Sequence, residues 1–249
     1  MADYDNNTTL WGARAGARAA ERDAGLRAHM LGVYNIMGMG LALSGLSAWV
    51  TANFFAPVFF TQVAPGAFAP NMLGLIAMFA PLAFVLVLSF GVNRMSSSTA
   101  YATFLVYATV MGVSLASILL NFTSESVARV FFITAATFGA MSLWGYTTKA
   151  DLSKMGSFLL MGLIGIIIAS LVNIFLASSM LQFVISVIGV IIFTGLTAYD
   201  TQRIKEEYYY GYDAETGRKA AIMGALSLYL NFINLFMLLM QLLGQRNDE

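Results

Sequence analysis

The sequence predicts an all-α integral membrane protein, a bundle of seven transmembrane helices. Three observations carry that prediction. Of the 249 residues, 59% are hydrophobic and 10% are charged, against about 25% charged in a soluble domain. Seven apolar runs reach the roughly 20 residues that a helix needs to cross a bilayer. The basic residues fall almost wholly in alternate connections between those runs, as an unbroken in-and-out path requires.

The runs lie near 30–52, 71–93, 100–120, 127–148, 156–178, 181–204 and 221–243. Ahead of the first stands a polar arm, residues 1–27, with Arg14, Arg18, Arg22 and Arg27. It lacks a short apolar core followed by a small-residue cleavage site, so the first run is expected to be an uncleaved signal-anchor. Arg14, Arg18 and Arg22 recur every four residues, which suits a surface helix. A solvated, partly disordered arm suits the composition equally well. The connection 52–70 is apolar but interrupted by Pro57, Pro65 and Pro70, and reads as an interfacial loop. Pro81 falls inside the second run and is expected to kink it. The fifth and sixth runs come from one uncharged stretch, Met155 to Tyr199. As a single helix it would be roughly 67 Å long, more than twice the hydrocarbon thickness of about 30 Å. It must divide, and Asn173 with Ser178-Ser179 marks the turn.

Eleven of the 13 lysines and arginines lie in the arm or in the connections after the second, fourth and sixth runs. Arg129 and Arg246 lie on the other side. The bias places the N-terminus in the cytoplasm and the C-terminal tail, 245–249, outside.

Polar residues inside the runs locate the candidate site. In the fifth run Gly162, Gly165, Ala169 and Asn173 form a packing face. In the seventh, Gly224, Ser227, Asn231 and Asn234 fall at steps of three, four and three, and Gln241 continues the face two turns on. Such a stripe faces the bundle interior or a water-filled cavity, although hydrogen bonding between helices is sufficient reason for it. Asp200 follows a long uncharged run, in "TAYDTQ", Thr197 to Gln202. Two readings stand. With Arg203 three residues on, it makes an ordinary ion pair near a helix end. Facing inward against the stripe, it marks an ion or proton path. Depth separates them. A helix ending at Arg203 leaves Asp200 one turn from the end. A helix running to the cluster Tyr208-Tyr209-Tyr210, which fits an interfacial belt, puts it roughly 12 Å inside.

Several chemistries are excluded. Zero net charge gives no pull toward nucleic acid. There is no cysteine, hence no disulfide and no zinc–thiolate site. One histidine, His29, rules out a multi-histidine metal site. No lysine lies inside a span to hold a Schiff base, and no glycine-rich loop cradles phosphates. An intramembrane aspartyl protease needs two carboxylates sharing a proton, and the seventh run offers Asn231 instead. The chain reads as non-enzymatic and free of cofactors.

Four stretches resemble the Bax inhibitor-1, or transmembrane Bax-inhibitor-motif, family in its bacterial form. They are "MLGVYNIMGMGLALSGL", "LWGYTTKADLSKMGSFLLMGLIGIIIASLVN", "TAYDTQRIK" and "LSLYLNFINLFMLLMQLLG". The resemblance covers about residues 28 to 244. It implies six helices around a central seventh and a passive, pH-sensitive calcium leak. It also implies a dyad of aspartates on the sixth and seventh spans, near the cytoplasmic end. Asp200 matches the first of these. The family's "LYLDFINLF" is here "LYLNFINLF", so Asn231 stands in the place of the second. Arg94 matches a basic residue of the second span and is the expected counter-ion of Asp200 in a closed state. Some bacterial members carry a glutamate where this chain has Ala83. Two close carboxylates push one pKa up and form a switch near neutrality. Asn231 adds no like charge, so weaker pH gating is expected. Both departures also remove hard oxygen charge of the kind calcium prefers, and Asp200 is the remaining candidate ligand.

The expected function is therefore an ion leak with Asp200 as gate carboxylate, Asn231 its partner and Arg94 its latch. The alternative is a membrane adaptor that modulates a membrane protease or another membrane protein. The basic arm ahead of the first span, without organellar targeting features, fits a bacterial inner membrane.

Overall fold

A computed structural model describes residues 3–208 and 212–247, with side chains described from residue 21 onward. The side chains of Arg14 and Arg18, and the pair Tyr209-Tyr210, lie outside the described residues. Eight helices are described, and seven of them are long and apolar enough to span a membrane. They are α1 (Asp3–Phe54), α3 (Met72–Gly91), α4 (Ser97–Asn121), α5 (Ser124–Thr147), α6 (Ser153–Leu176), α7 (Ser179–Glu207) and α8 (Ala214–Leu243). The chain is an all-α membrane protein.

Ends are set by local chemistry. Asn71, Ser96, Thr123, Ser178 and Asp213 each cap the start of the following helix, accepting a backbone N–H from its first turn, as their short polar side chains favour. The fifth and sixth spans divide where expected. Ala177 takes the left-handed conformation with φ 49°, and Asn173 Oδ1 accepts the N–H of Ser178 at 3.0 Å. Helix α3 continues through Pro81.

The N-terminal arm and the first span form one helix. The 52 residues of α1 make about 78 Å at 1.5 Å per residue, so its N-terminal turns extend beyond any bilayer. The proline-broken connection also holds structure beyond a plain loop. A four-residue helix, α2 (Ala56–Phe59), leads into a hairpin of β1 (Phe60–Ala64) and β2 (Ala67–Pro70), antiparallel with a bulge between Gln62 and Ala64. Gly66, with φ 75°, makes the turn a side chain would strain. The Asn121 side chain clamps both the N–H and the carbonyl of Phe68. The C-terminal residues return to the same end, where Phe122 bridges Arg246.

Helix α8 is the axis. Within its most apolar window 72% of residues are buried, against 39% or less in every other span. It packs on α1, α4, α5 and α7, while α6 leans on α7 and α3 leans on α4. Close approaches rest on glycines. A Cβ at Gly145 of α5 would collide with the backbone of Ala198 in α7, and one at Gly112 of α4 with the backbone of Ser44 in α1. The face expected on α6 is used in part. Gly162 meets Ile192 of α7, whereas a Cβ at Gly165 would meet nothing within 4 Å.

Candidate functional site

Helix α7 runs on to Glu207, so Asp200 lies seven residues, about 10 Å, inside its end. It is 6% exposed and faces α8. Its Oδ1 pairs with Arg203 Nη2 at 3.1 Å. Its Oδ2 accepts from Ser227 Oγ at 2.9 Å and from Asn231 Nδ2 at 2.8 Å. Ser227 in turn accepts from Arg203 Nη2 at 3.2 Å. Asp200 thus makes the ion pair with Arg203 and also faces the polar stripe. One helical turn sets the first contact, through the i,i+3 spacing. The second needs α7 and α8 side by side, which Gly224 allows by resting against Ile204.

The other predicted residues are placed as follows. Arg94 sits in the turn Val92–Arg94 after α3 and is exposed; among the described residues the cation on Asp200 is Arg203. Ala83 is exposed on α3. Asn234 bonds back to the Leu230 carbonyl at 2.8 Å. Gln241 Oε1 accepts from Gln182 and Ser186 of α7. The stripe therefore splits into a carboxylate-binding pair, Ser227 and Asn231, and a glue residue, Gln241.

Two cavities lie between α3 and α8. One, about 220 Å³, is lined by Ser89, Arg203, Glu207 and Ser227. The other, about 410 Å³, is lined by Tyr107, Ser114, Asn234 and Gln241. Val85 and Leu230 line both and form the partition. The Tyr107 hydroxyl is buried on this second cavity without a hydrogen-bond partner among the described residues.

Sequence reasoning passed over three features. Gln202 fastens the α5–α6 connection, accepting from Leu152 N at 2.9 Å and donating to Ala150 O at 2.8 Å. Glu215 at the start of α8 accepts both the N–H and the hydroxyl of Ser97 at the start of α4. Ser44 of α1 joins Tyr229 of α8 at 2.6 Å. Gln202 stands in the "TAYDTQRIK" stretch, and its polarity there was the available signal.

A seven-span bundle with a central helix and a buried aspartate at the α7–α8 contact defines a class of membrane protein. The family model described as inhibitor of apoptosis-promoting Bax1 matches residues 26–248, and the chain belongs to this Bax inhibitor family. It is 50% identical over 226 residues to an uncharacterised protein of Rickettsia prowazekii, covering 91% of this chain and 93% of that one. It is 48% identical over 229 residues to an uncharacterised protein of Caulobacter vibrioides, covering 91% and 92%. It is also 45% identical over 227 residues to the inner membrane protein YbhL of Escherichia coli K12, covering 90% and 94%.

Proposed function

We propose that the chain is a passive, non-enzymatic ion leak, with calcium as the transported ion and the Asp200 network as its gate. One observation carries this reading. The aspartate is held by Arg203, Ser227 and Asn231, and two of those partners line one of two cavities parted by Val85 and Leu230. With Arg203 in place the carboxylate is neutralised, and a dication entering that cavity meets a guanidinium first. Glu207, 3.7 Å from Arg203 Nε, offers the guanidinium a second carboxylate. Transfer of Arg203 toward Glu207 frees Asp200 as an oxygen ligand, and displacement of α3 joins the cavities. The name of the Escherichia coli relative supports an inner-membrane location. The basic bias supports a cytoplasmic N-terminus and an outside C-terminus.

Calcium flux into liposomes carrying the purified protein, measured from pH 6 to 8, tests the leak. Flux altered by Asp200→Ala, with a pH dependence gained in Asn231→Asp, supports it. No flux in any variant removes it. The adaptor reading, with a membrane protease as partner, is favoured by a different observation: α1 is far longer than a span needs. Deleting residues 1–20 separates the two, because a leak keeps its flux while an adaptor loses its partner.

A further inference from the structure

We infer that the cleft between α1 and α5 binds one anionic phospholipid, drawn from the leaflet at the basic end of the bundle. Helix α1 packs on α4 and α8, and α5 packs on α7 and α8, but the two scarcely touch each other. Among the described residues, one hydrogen-bonded strut crosses the gap. Tyr34 Oη bonds Ser142 Oγ at 2.6 Å, and Ser142 bonds Thr201 of α7 at 3.0 Å.

Two cavities lie in line along this gap, of about 460 Å³ and 500 Å³. Each falls in the range of roughly 300–1,000 Å³ typical of ligand sites. The first is lined by Arg27, Met30, Leu31 and Phe138, the second by Ala48, Trp49, Phe131 and Phe236. Glycines cut back the walls: a Cβ at Gly139, which lines the first cavity, or at Gly45, which lines the second, would meet nothing within 4 Å. From Arg27 to Trp49 the helix rises about 33 Å, close to the hydrocarbon thickness of about 30 Å. The cleft therefore has one cavity in each half of the apolar layer, the first at the basic end.

Its two ends differ in chemistry. At one end stands Trp49, 52% exposed, as at a membrane interface. At the other, Arg27 is exposed and has no ion pair among the described residues; Asp23, one turn earlier, makes none with it. Lys205 sits at the same end, donating to the Tyr146 carbonyl at 2.7 Å beside the Tyr146 ring that lines the cleft. An apolar slot below an unpaired guanidinium complements an acyl chain below a phosphate, which arginine binds through a two-pronged fork. The anionic character of the headgroup follows from those basic groups.

Native mass spectrometry of the full-length protein tests this, with phosphatidylglycerol and phosphatidylcholine of equal chain length. Phosphatidylglycerol is expected to bind more tightly. Arg27→Gln lowers that preference about fivefold, the effect of one basic group near an anionic surface. Gly139→Phe, which points into the open slot, lowers occupancy by both lipids. Arg129→Gln, at the far end of α5, changes neither, and glycerol 3-phosphate does not compete. Arg27 is exposed, so its variant is not lost to misfolding. Equal binding of the two lipids overturns the inference. So does an unchanged preference in Arg27→Gln, an equal loss in Arg129→Gln, or competition by glycerol 3-phosphate.

Discussion

Asp200 brings two carboxylate oxygens into a region where an unanswered charge costs about 3 kcal/mol. Arg203 answers one oxygen, and Ser227 with Asn231 answers the other. Removing the carboxylate leaves three donors facing each other. Asp200→Ala is therefore expected to lower stability by about 2–3 kcal/mol, and Asp200→Asn by less, because the amide keeps one acceptor. Thermal unfolding in detergent checks the order; equal losses would mean that Arg203 and the α8 donors are satisfied elsewhere. Arg203 is the loosest member. Its side chain is 39% exposed, and its buried Nε has no hydrogen-bond partner among the described residues, as the proposed transfer toward Glu207 requires. Asn231→Asp supplies a second carboxylate at hydrogen-bond distance. Two such groups share one proton. A proton held between them stabilises the variant at low pH and is lost as pH rises. Its melting temperature should fall between pH 6 and 8 more steeply than that of the unsubstituted chain. A parallel pair of profiles would show that the two side chains separate instead of sharing.

Among the helices, glycines that look alike in the sequence have opposite consequences. Gly139 and Gly145 are both on α5, six residues apart. A Cβ at Gly139 meets open space, and one at Gly145 meets the Ala198 backbone of α7. Gly139→Ala is expected to be neutral or stabilising by up to about 1 kcal/mol, from helix propensity. Gly145→Ala must part α5 from α7 and should greatly reduce the folded yield. Size-exclusion profiles of the two variants distinguish them, and equal behaviour would refute the α5–α7 packing. Asp213 shows a similar local logic at the start of α8. Hydrogen bonds from Thr216 hold its carboxyl below the ordinary range. That stabilisation is present above the unfolded pKa and disappears as pH falls through the lowered folded value. Asp213→Ala should remove that share of acid sensitivity. The helices themselves were legible because run length and charge placement are one-dimensional signals. The hairpin 60–70 was not read, although Pro65-Gly66 is a turn dipeptide, because three prolines in an apolar loop mask the alternation of its strands.

At the scale of the whole molecule, the candidate site was legible only along single helices. Asp200 with Arg203, and Ser227 with Asn231, follow from spacing within one helix. Whether Arg94 reaches Asp200 depends on which helices are neighbours, and spacing carries no such information. The same holds for the cavities, which exist because α3 leans on α4 and away from α8. That arrangement gives the leak reading its most direct test. Val85 on α3 and Leu230 on α8 line both cavities, so any path joining them passes this pair. The chain has no cysteine, and a Val85→Cys/Leu230→Cys variant therefore holds only the introduced thiols. Bridging them with a short bifunctional thiol reagent ties α3 to α8. If ions cross between these helices, bridging stops calcium flux in liposomes and a reducible bridge restores it on reduction. Each single-cysteine variant keeps its flux through the same treatment. Flux that continues through a fully bridged double variant would place the path elsewhere and leave the α3–α8 cavities as packing defects.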